Sequence, residues 1–310
     1  MVIMSAFPLP PPLQPPHTYR VVNRHAMAPP PQVPGLQVRP VTAANYEAEL
    51  DGIGFLLARY PYVAIDTEYP GTVHRPPPPW RAGRELSPPD RYELLKANVD
   101  ELPVVQLGIT LCDEYGNLPT LVDGSGRPHE VVWEVTFSDF DARRDRHAPE
   151  SVAFLRSQGL DFDQAIARGV SSAAFAAKLA AVLPRAGLEL TWAAFGGAHD
   201  FAYVVKMLSG GRPLPGTWHE FAALARDLLV GRVFDAKYMA EHCERADLRG
   251  GLRRVAESLR VQQHDLPERP AWLAGRKSYI ASRVFTAMRR RIMYRDGGAL
   301  YESLIDGLHI

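Results

Sequence analysis

The segment Val63–Gly71, which reads Val-Ala-Ile-Asp-Thr-Glu-Tyr-Pro-Gly, constrains this chain more than any other feature. It is an apolar strand that ends in two carboxylates and is then stopped by proline and glycine. Asp66 and Glu68 are two residues apart, so an extended chain places both on one face, about 7 Å apart. Two such anions repel each other unless a cation lies between them. Two interpretations stay open: a divalent-metal site at a sheet rim, or solvated surface carboxylates.

Composition favours one globular α/β domain. The 310 residues are 46% hydrophobic and 23% charged, which is enough for a sizeable core. Lys plus Arg equals Asp plus Glu at 35 each, so any nucleic-acid contact has to come from a local patch. Cys112 and Cys243 are the only cysteines, which favours a reducing, intracellular compartment. Neither a signal peptide nor an apolar run long enough to span a bilayer is evident, so we expect no membrane association.

Prolines are concentrated at the N-terminus, with 11 of 28 in the first 40 residues. Such a segment cannot form regular backbone hydrogen bonds, so residues 1–39 are predicted to be a disordered or polyproline tail. A solvated tail and a docking site for a proline-reading domain are the two interpretations of it. Residues 40–310 are predicted to form a single domain.

Hydrophobic periodicity predicts an antiparallel meander around the carboxylate strand. A helix over 42–59 leads into a strand over 62–66, a long irregular loop follows over 71–90, and strands are predicted at Val104–Leu111 and Val131–Phe137. The later elements are predicted as helices at Tyr92–Leu102, Ser151–Gln158, Asp161–Arg168, Ser172–Val182, 217–230, Leu252–Leu259 and Ser278–Tyr294, with a strand at Leu188–Phe195 and a short strand or helix start at Val233–Met239.

Asp200 follows two glycines at the start of an apolar-periodic helix, just after the strand Leu188–Phe195. An acidic residue there is suited to capping the helix N-terminus. The residue pattern alone does not separate that role from a role in a site.

Seven blocks in order resemble one family. They are Val63–Gly71, Leu94–Asp100, Val105–Gly108, Ser151–Gly159, Asp200–Tyr203, Phe234–Tyr238 and Leu248–Leu252. Together they are similar to the CCR-associated-factor (CAF-type, Pop-type) poly(A) deadenylases of the DEDD exonuclease superfamily. The resemblance implies an α/β, RNase H-like fold with a mixed central sheet flanked by helices.

The resemblance also implies a function: a 3′-to-5′ poly(A)-specific exoribonuclease that releases AMP. Its expected partners are the poly(A) tail of mRNA and, in the CCR/NOT complex, the NOT scaffold and a second nuclease, with localisation in nucleus and cytoplasm. The expected cofactors are two Mg²⁺ ions, with Mn²⁺ as the alternative, since carboxylate oxygens suit such ions. By resemblance, Asp66 bridges both metals, Glu68 holds the first and Asp200 supports the second through water.

The closing motif departs from the family pattern. The family has His-x-x-x-x-Asp, where the Asp completes the first metal's ligands and the His orients or deprotonates the attacking water. Ala274, Gly275 and Ser278 match the family and fix the register, so Trp272 stands at the His position and Lys277 at the Asp position. Trp neither accepts a proton nor binds a metal, and Lys brings a positive charge. We therefore expect weakened or absent catalysis, with Lys277 paired to Asp66 or Glu68.

Four other residues are candidates to compensate for these changes. Asp265 and Glu268 are candidate ligands, and His264 or His199 a candidate base; His199 itself lies in a segment that departs from the family's His-Ser-Gly-Tyr. Arg253–Arg254 and Arg289–Arg291 are the local basic clusters, either RNA contacts or solvated helix faces. Two functions remain open: a weakened exoribonuclease, or a catalytically inactive interaction subunit of the complex.

Overall fold

A mixed sheet flanked by helices on both faces forms the body of the protein, as the computed structural model describes it for residues 35–76, 86–183, 189–261 and 272–309. The predicted α/β, RNase H-like fold is confirmed. The strands are β1 Gly35–Val41, β2 Tyr62–Glu68, β3 Gln106–Cys112, β4 Thr120–Val122, β5 Pro128–Thr136, β6 Leu190–Ala194 and β7 Gly231–Asp235.

The sheet has the order β1-β5-β3-β2-β6-β7, with β4 paired to β5. β2 is antiparallel to β3, and β3 is antiparallel to β5, so the predicted meander is present. β6 and β7 continue the sheet in parallel with β2. The carboxylate strand therefore lies inside the sheet, where its side chains can be covered from both faces.

Ten α-helices are assigned within the described ranges. They are α1 Tyr46–Leu57, α2 Pro88–Glu101, α3 Pro149–Ser157, α4 Phe162–Arg168, α5 Ser172–Val182, α6 Ala198–Leu208, α7 Trp218–Leu229, α8 Ala236–His242, α9 Leu252–Ser258 and α10 Ala274–Ala287. None of them is long and apolar enough to cross a membrane.

Successive residues of β2 belong to opposite faces of the sheet, as the two-residue period of a strand requires. Val63 and Ile65 pack into the core cluster that includes α1, α5 and α6. Ala64 packs into the other cluster, together with α8, α9 and α10. By the same period Asp66 and Glu68 face α10, so α10 decides what the carboxylates meet.

The structure differs from the sequence prediction at several element boundaries and contains two strands, β1 and β4, that the sequence does not predict. The helix predicted at Ser278–Tyr294 begins earlier, at Ala274, and its α-helical part ends at Ala287. Residues 35–39, assigned above to the tail, form most of β1, which pairs in parallel with β5; Pro40 is tolerated because β1 is an edge strand. α2 begins at Pro88, inside the predicted loop, because Ser87 caps it and proline fits the first helical turn. β4 has only three residues, too few for a readable alternation. Residues 1–34, and the candidates His264, Asp265 and Glu268, lie outside the described residues.

Candidate functional site

Lys277 lies between the two carboxylates of β2. Its Nζ atom is 2.9 Å from Asp66 Oδ2 and 2.9 Å from Glu68 Oε1. All three side chains are largely buried, with exposed fractions of 19% for Lys277, 13% for Asp66 and 8% for Glu68. The expected pairing thus involves both acids at once, and one ammonium group lies where the two anions need a cation.

The position of Lys277 follows from how α10 packs on the sheet. Gly108, the β3 partner of Asp66, leaves room for the helix: a Cβ there would be 1.9 Å from the Ala274 carbonyl oxygen. Further along, Ser278 Oγ lies 2.9 Å from Thr110 Oγ1 on β3. The residues of the closing motif that match the family are thus the ones that seat the helix, and they bring Lys277 over β2.

Burial dominates the electrostatics of the site. It raises the pKa of Glu68 to about 7, against the opposing effect of the Lys277 ammonium. It also raises the pKa of Asp66, while the two carboxylates raise the pKa of Lys277 and keep it charged. Glu68, with a pKa of about 7, is therefore only partly ionised near neutral pH.

Asp200 lies in the first turn of α6, as predicted, but it does not cap the helix: the N-cap residue is Gly197, and no side chain of the described residues caps the N-terminus. Its Oδ1 atom accepts hydrogen bonds from the backbone N–H of Thr67, at 2.7 Å, and from the Thr67 hydroxyl, at 2.5 Å. Burial and the nearby charge of Asp66 raise the pKa of Asp200 well above its usual value. Asp200 is therefore held against the middle residue of the Asp-Thr-Glu segment, and the three predicted site carboxylates are brought together.

His199, the alternative base, is held by an aromatic stack. Its ring lies 4.7 Å from that of Tyr69 with an interplanar angle of 12°, and Tyr203 packs against Tyr69 at 5.4 Å. Burial lowers the pKa of His199 to about 4, so the imidazole is neutral at physiological pH. Its Nε2 atom is buried without a hydrogen-bond partner among the described residues.

Two further acids support the site, although sequence reasoning gave them no role. Asp235 is buried and accepts hydrogen bonds from the backbone N–H groups of Gly196 and Gly197, at 2.8 and 2.9 Å, which fixes the turn leading to Asp200. Glu134 on β5 accepts one from Gly275 N at 3.0 Å and so helps to seat α10. The two-residue alternation of β5, which places Glu134 on the same face as Val132, was the signal available for it.

Trp272 makes cation–π contacts: the guanidinium carbon of Arg253 is 4.1 Å from the centre of the ring, and that of Arg276 is 5.9 Å. One of the two predicted basic clusters is therefore partly used in packing at the start of α10. In the second cluster, Arg289 lies over Tyr62 at 4.4 Å. The other two arginines of that cluster contact other groups: Arg290 lies over the ring of Tyr115, and Arg291 donates to the Leu259 carbonyl oxygen.

A cleft of about 380 Å³ opens beside the ion pair. Glu68, Lys277 and Tyr69 line one side, and residues of α3, including Ser151 and Phe154, line the other. Phe154 is half exposed, which gives the cleft an aromatic rim. The opening is large enough to admit a small polar group to the Glu68 side of the pair.

The side chains as arranged do not fit the expected metal ions. Among the described residues, no group of three or more His, Cys, Asp or Glu side chains is placed to hold a metal. Asp66 Oδ2 and Glu68 Oε1 both face the Lys277 ammonium, and Asp200 Oδ1 faces Thr67. The carboxylates that the sequence predicts as metal ligands are thus present, but the Lys277 ammonium lies between two of them.

Comparison with known proteins finds a family model and relatives that agree with one another. Residues 41–179 match the family model described as CAF1 family ribonuclease. The probable CCR4-associated factor 1 homolog 7 of Arabidopsis thaliana is 33% identical over 86% of this chain and 93% of its own length. The poly(A) ribonuclease pop2 of Schizosaccharomyces pombe is 31% identical over 84% of this chain and 71% of its own.

Solved structures agree with this assignment. The structure of S. pombe Pop2p with Mg²⁺ and Mn²⁺ bound superposes with a TM-score of 0.71 at 30% identity, covering 87% of this chain and 99% of that one. Yeast CAF1 co-crystallised with the NOT1 MIF4G domain has the same fold, with a TM-score of 0.67 at 23% identity over 90% of this chain and 100% of that one. This chain belongs to the CAF1 family of ribonucleases, the CAF1/Pop2 deadenylases.

Proposed function

We propose that this chain is a non-cleaving member of the CAF1 family, which acts as an interaction subunit in mRNA deadenylation. The observation that carries this proposal is the position of Lys277 Nζ, 2.9 Å from both Asp66 Oδ2 and Glu68 Oε1. Breaking such a buried pair leaves uncompensated charge, so the ammonium is costly to displace. Trp272, at the other altered position, offers no proton acceptor.

In this role the fold supplies surfaces rather than chemistry. The proposed partners are the NOT scaffold and the second nuclease of the CCR/NOT complex, in nucleus and cytoplasm, and support for them comes from family membership. A chain that occupies an active relative's place would reduce deadenylation by competition. The prediction that separates this role from catalysis is that the purified protein has no nuclease activity of its own.

A weakened poly(A) exoribonuclease is the second candidate. In its favour, Asp66, Glu68 and Asp200 come together as in a site, and the 380 Å³ cleft reaches Glu68. It requires Lys277 to leave the carboxylates so that Mg²⁺ or Mn²⁺ can bind in its place. The two candidate functions share the fold and the partners, and they differ in whether the protein shortens RNA.

The deciding experiment is an assay on a 5′-labelled, A-tailed RNA with Mg²⁺ or Mn²⁺. The full-length protein is expected to leave the RNA intact, and the double variant Trp272→His/Lys277→Asp is expected to gain shortening from the 3′ end. Adding Asp66→Ala to that double variant is the control and is expected to remove the gained activity. Shortening by the natural sequence that disappears in Asp66→Ala would instead establish the second candidate.

A further inference from the structure

A second cavity, of about 460 Å³, lies near the C-terminal end of α10. Its walls come from the turn after β3, the end of α9 and the last turns of α10. Four arginines converge on it, and we call it the arginine cavity: Arg260, Arg283, Arg290 and Arg291. Tyr115, Val261, Thr286 and Ala287 complete the lining. Arg290 is about 20 Å from Lys277 along the helix axis, so the cavity is separate from the carboxylate site.

Backbone carbonyls hold three of the guanidinium groups in place. Arg283 Nη1 donates to Gly116 O at 3.1 Å, Arg290 Nη1 to Tyr115 O at 3.3 Å, and Arg291 Nη1 to Leu259 O at 2.9 Å. Because a guanidinium group carries five N–H donors, each of the three keeps donors for a further partner. Arginines that are oriented before binding lose less conformational entropy when a ligand arrives.

Among the residues that the structure describes, no ion pair balances the charge of the arginine cavity. Within the described ranges, none of the four arginines is paired with a carboxylate, whereas Arg232 and Arg245 pair with Glu302 and Asp247. On the turn after β3, Asp113 is engaged elsewhere, since its Oδ1 atom accepts hydrogen bonds from the backbone N–H groups of Tyr115 and Asn117. Four like charges in one cavity repel each other, and an anion relieves that repulsion.

A π-helical turn over Met288–Ile292 contains three consecutive arginines, Arg289–Arg291, and directs their side chains to different places. Its wider winding is closed by the hydrogen bond from Met293 N to Met288 O at 2.8 Å. Arg289 turns to Tyr62, while Arg290 and Arg291 line the cavity. π-turns inside helices are frequent at functional sites, and this one directs two of three consecutive arginines to one place.

We propose that the arginine cavity binds a compact ligand with several phosphate groups, such as a nucleoside triphosphate or an inositol polyphosphate. Guanidinium groups match phosphate oxygens with paired hydrogen bonds. A cavity of 460 Å³ has the size of a small-molecule site. Convergence of four charges on one cavity favours a compact polyanion over single-stranded RNA, whose phosphates are spread one to a nucleotide along a track. The inference does not depend on whether the protein cleaves RNA.

Calorimetric titration of the full-length protein with inorganic tripolyphosphate tests this inference. We expect one site whose affinity falls as salt concentration rises. Arg290→Gln/Arg291→Gln is expected to weaken binding at least about tenfold, since two charge-assisted hydrogen-bonding groups are lost. The matched control is Arg295→Gln, an exposed arginine outside the cavity, which is expected to change affinity less than about twofold. ATP and inositol hexakisphosphate in parallel titrations distinguish the two sources of phosphate.

A second variant keeps the test valid if the Arg290→Gln/Arg291→Gln protein does not fold. Arg260→Gln removes a cavity charge at the exposed end of α9 without removing any side-chain hydrogen bond within the described part of the chain, and it is expected to weaken binding by itself. Equal affinity of the natural protein and both variants would overturn the proposal. So would displacement of tripolyphosphate by an A-tailed RNA without terminal phosphates, because the cavity would then be part of an RNA track.

Discussion

Gly108 lies directly beneath Ala274: a Cβ at Gly108 would come within 1.9 Å of the Ala274 carbonyl oxygen. The missing side chain on β3 is what lets the N-terminal turn of α10 approach the sheet. The approach brings Lys277 to Asp66 and Glu68, so the ion pair depends on a glycine that is not part of it.

Gly108→Ala is therefore expected to destabilise the protein by about 2 kcal/mol or more, since overpacked cores shift the backbone. Urea denaturation measures this free energy of unfolding. Gly124→Ala is the matched control, because a Cβ there meets nothing within 4 Å, and it is expected to change stability by less than about 0.5 kcal/mol. Equal effects of the two substitutions would mean that α10 is not seated as described.

Lys277→Met is expected to lower the free energy of unfolding by about 3 to 5 kcal/mol at neutral pH, because it leaves buried acids without their cation. Lys178→Met is the comparison: Lys178 pairs with the exposed Asp51, and such surface pairs contribute at most about 1 kcal/mol. Denaturant titration of both variants checks the contrast. A loss at Lys277 no larger than at Lys178 would show that the central pair does not stabilise the fold.

Metal should stabilise the protein only when Lys277 is replaced by an acid. The melting temperature of the natural protein is expected to be the same with Mg²⁺, Mn²⁺ or a chelator. Lys277→Asp is expected to melt several degrees higher with Mn²⁺, since a ligand at 100 times its Kd adds about 2.7 kcal/mol to stability. A comparable shift in the natural protein would mean that Lys277 yields its position to a metal.

Stability should also depend on pH through Glu68. Its folded-state pKa, raised to about 7, lies above the ordinary value of 4.5, so the folded protein binds the proton more tightly than the unfolded chain does. Stability is then lost as pH rises from about 4.5 through 7, by up to about 3 kcal/mol. Glu68→Gln removes this dependence. The free energy of unfolding of the variant should therefore rise relative to that of the natural protein between pH 5 and 8, as measured by denaturation at each pH. A difference in unfolding free energy between the two proteins that stays constant over this pH range would contradict the raised pKa of Glu68.

Asp235→Ala is expected to destabilise the protein by about 3 kcal/mol or more, because several buried N–H groups lose their acceptor. Besides the turn before Asp200, Asp235 accepts from Lys237 N and from Asp306 N, which ties the C-terminal segment to the sheet. Asp247→Ala, an exposed acid paired with Arg245, is the control and should cost less than about 1 kcal/mol. Thermal melting of both variants tests this difference.

The sequence predicts β2, its neighbouring strands and the pairing of Lys277, because these features depend on the alternation of apolar residues and on local motifs. It missed β1 since Pro40 and the nearby prolines disguise an edge strand, and β4 since three residues carry no period. Glu134 and Asp235 were missed for another reason: their roles arise from backbone groups distant in sequence, which only the folded chain brings to them.

Ala274, Gly275 and Ser278 seat the last helix, and Lys277 alone meets the acids. Different residues of the same short motif therefore position the helix and contact the carboxylates. A lineage can therefore lose or regain such a centre by point substitutions, with no redesign of the scaffold. Similarity in fold therefore places this chain in its family, whereas the proposed loss of cleavage depends on the side chains at Trp272 and Lys277, which a comparison of folds does not evaluate.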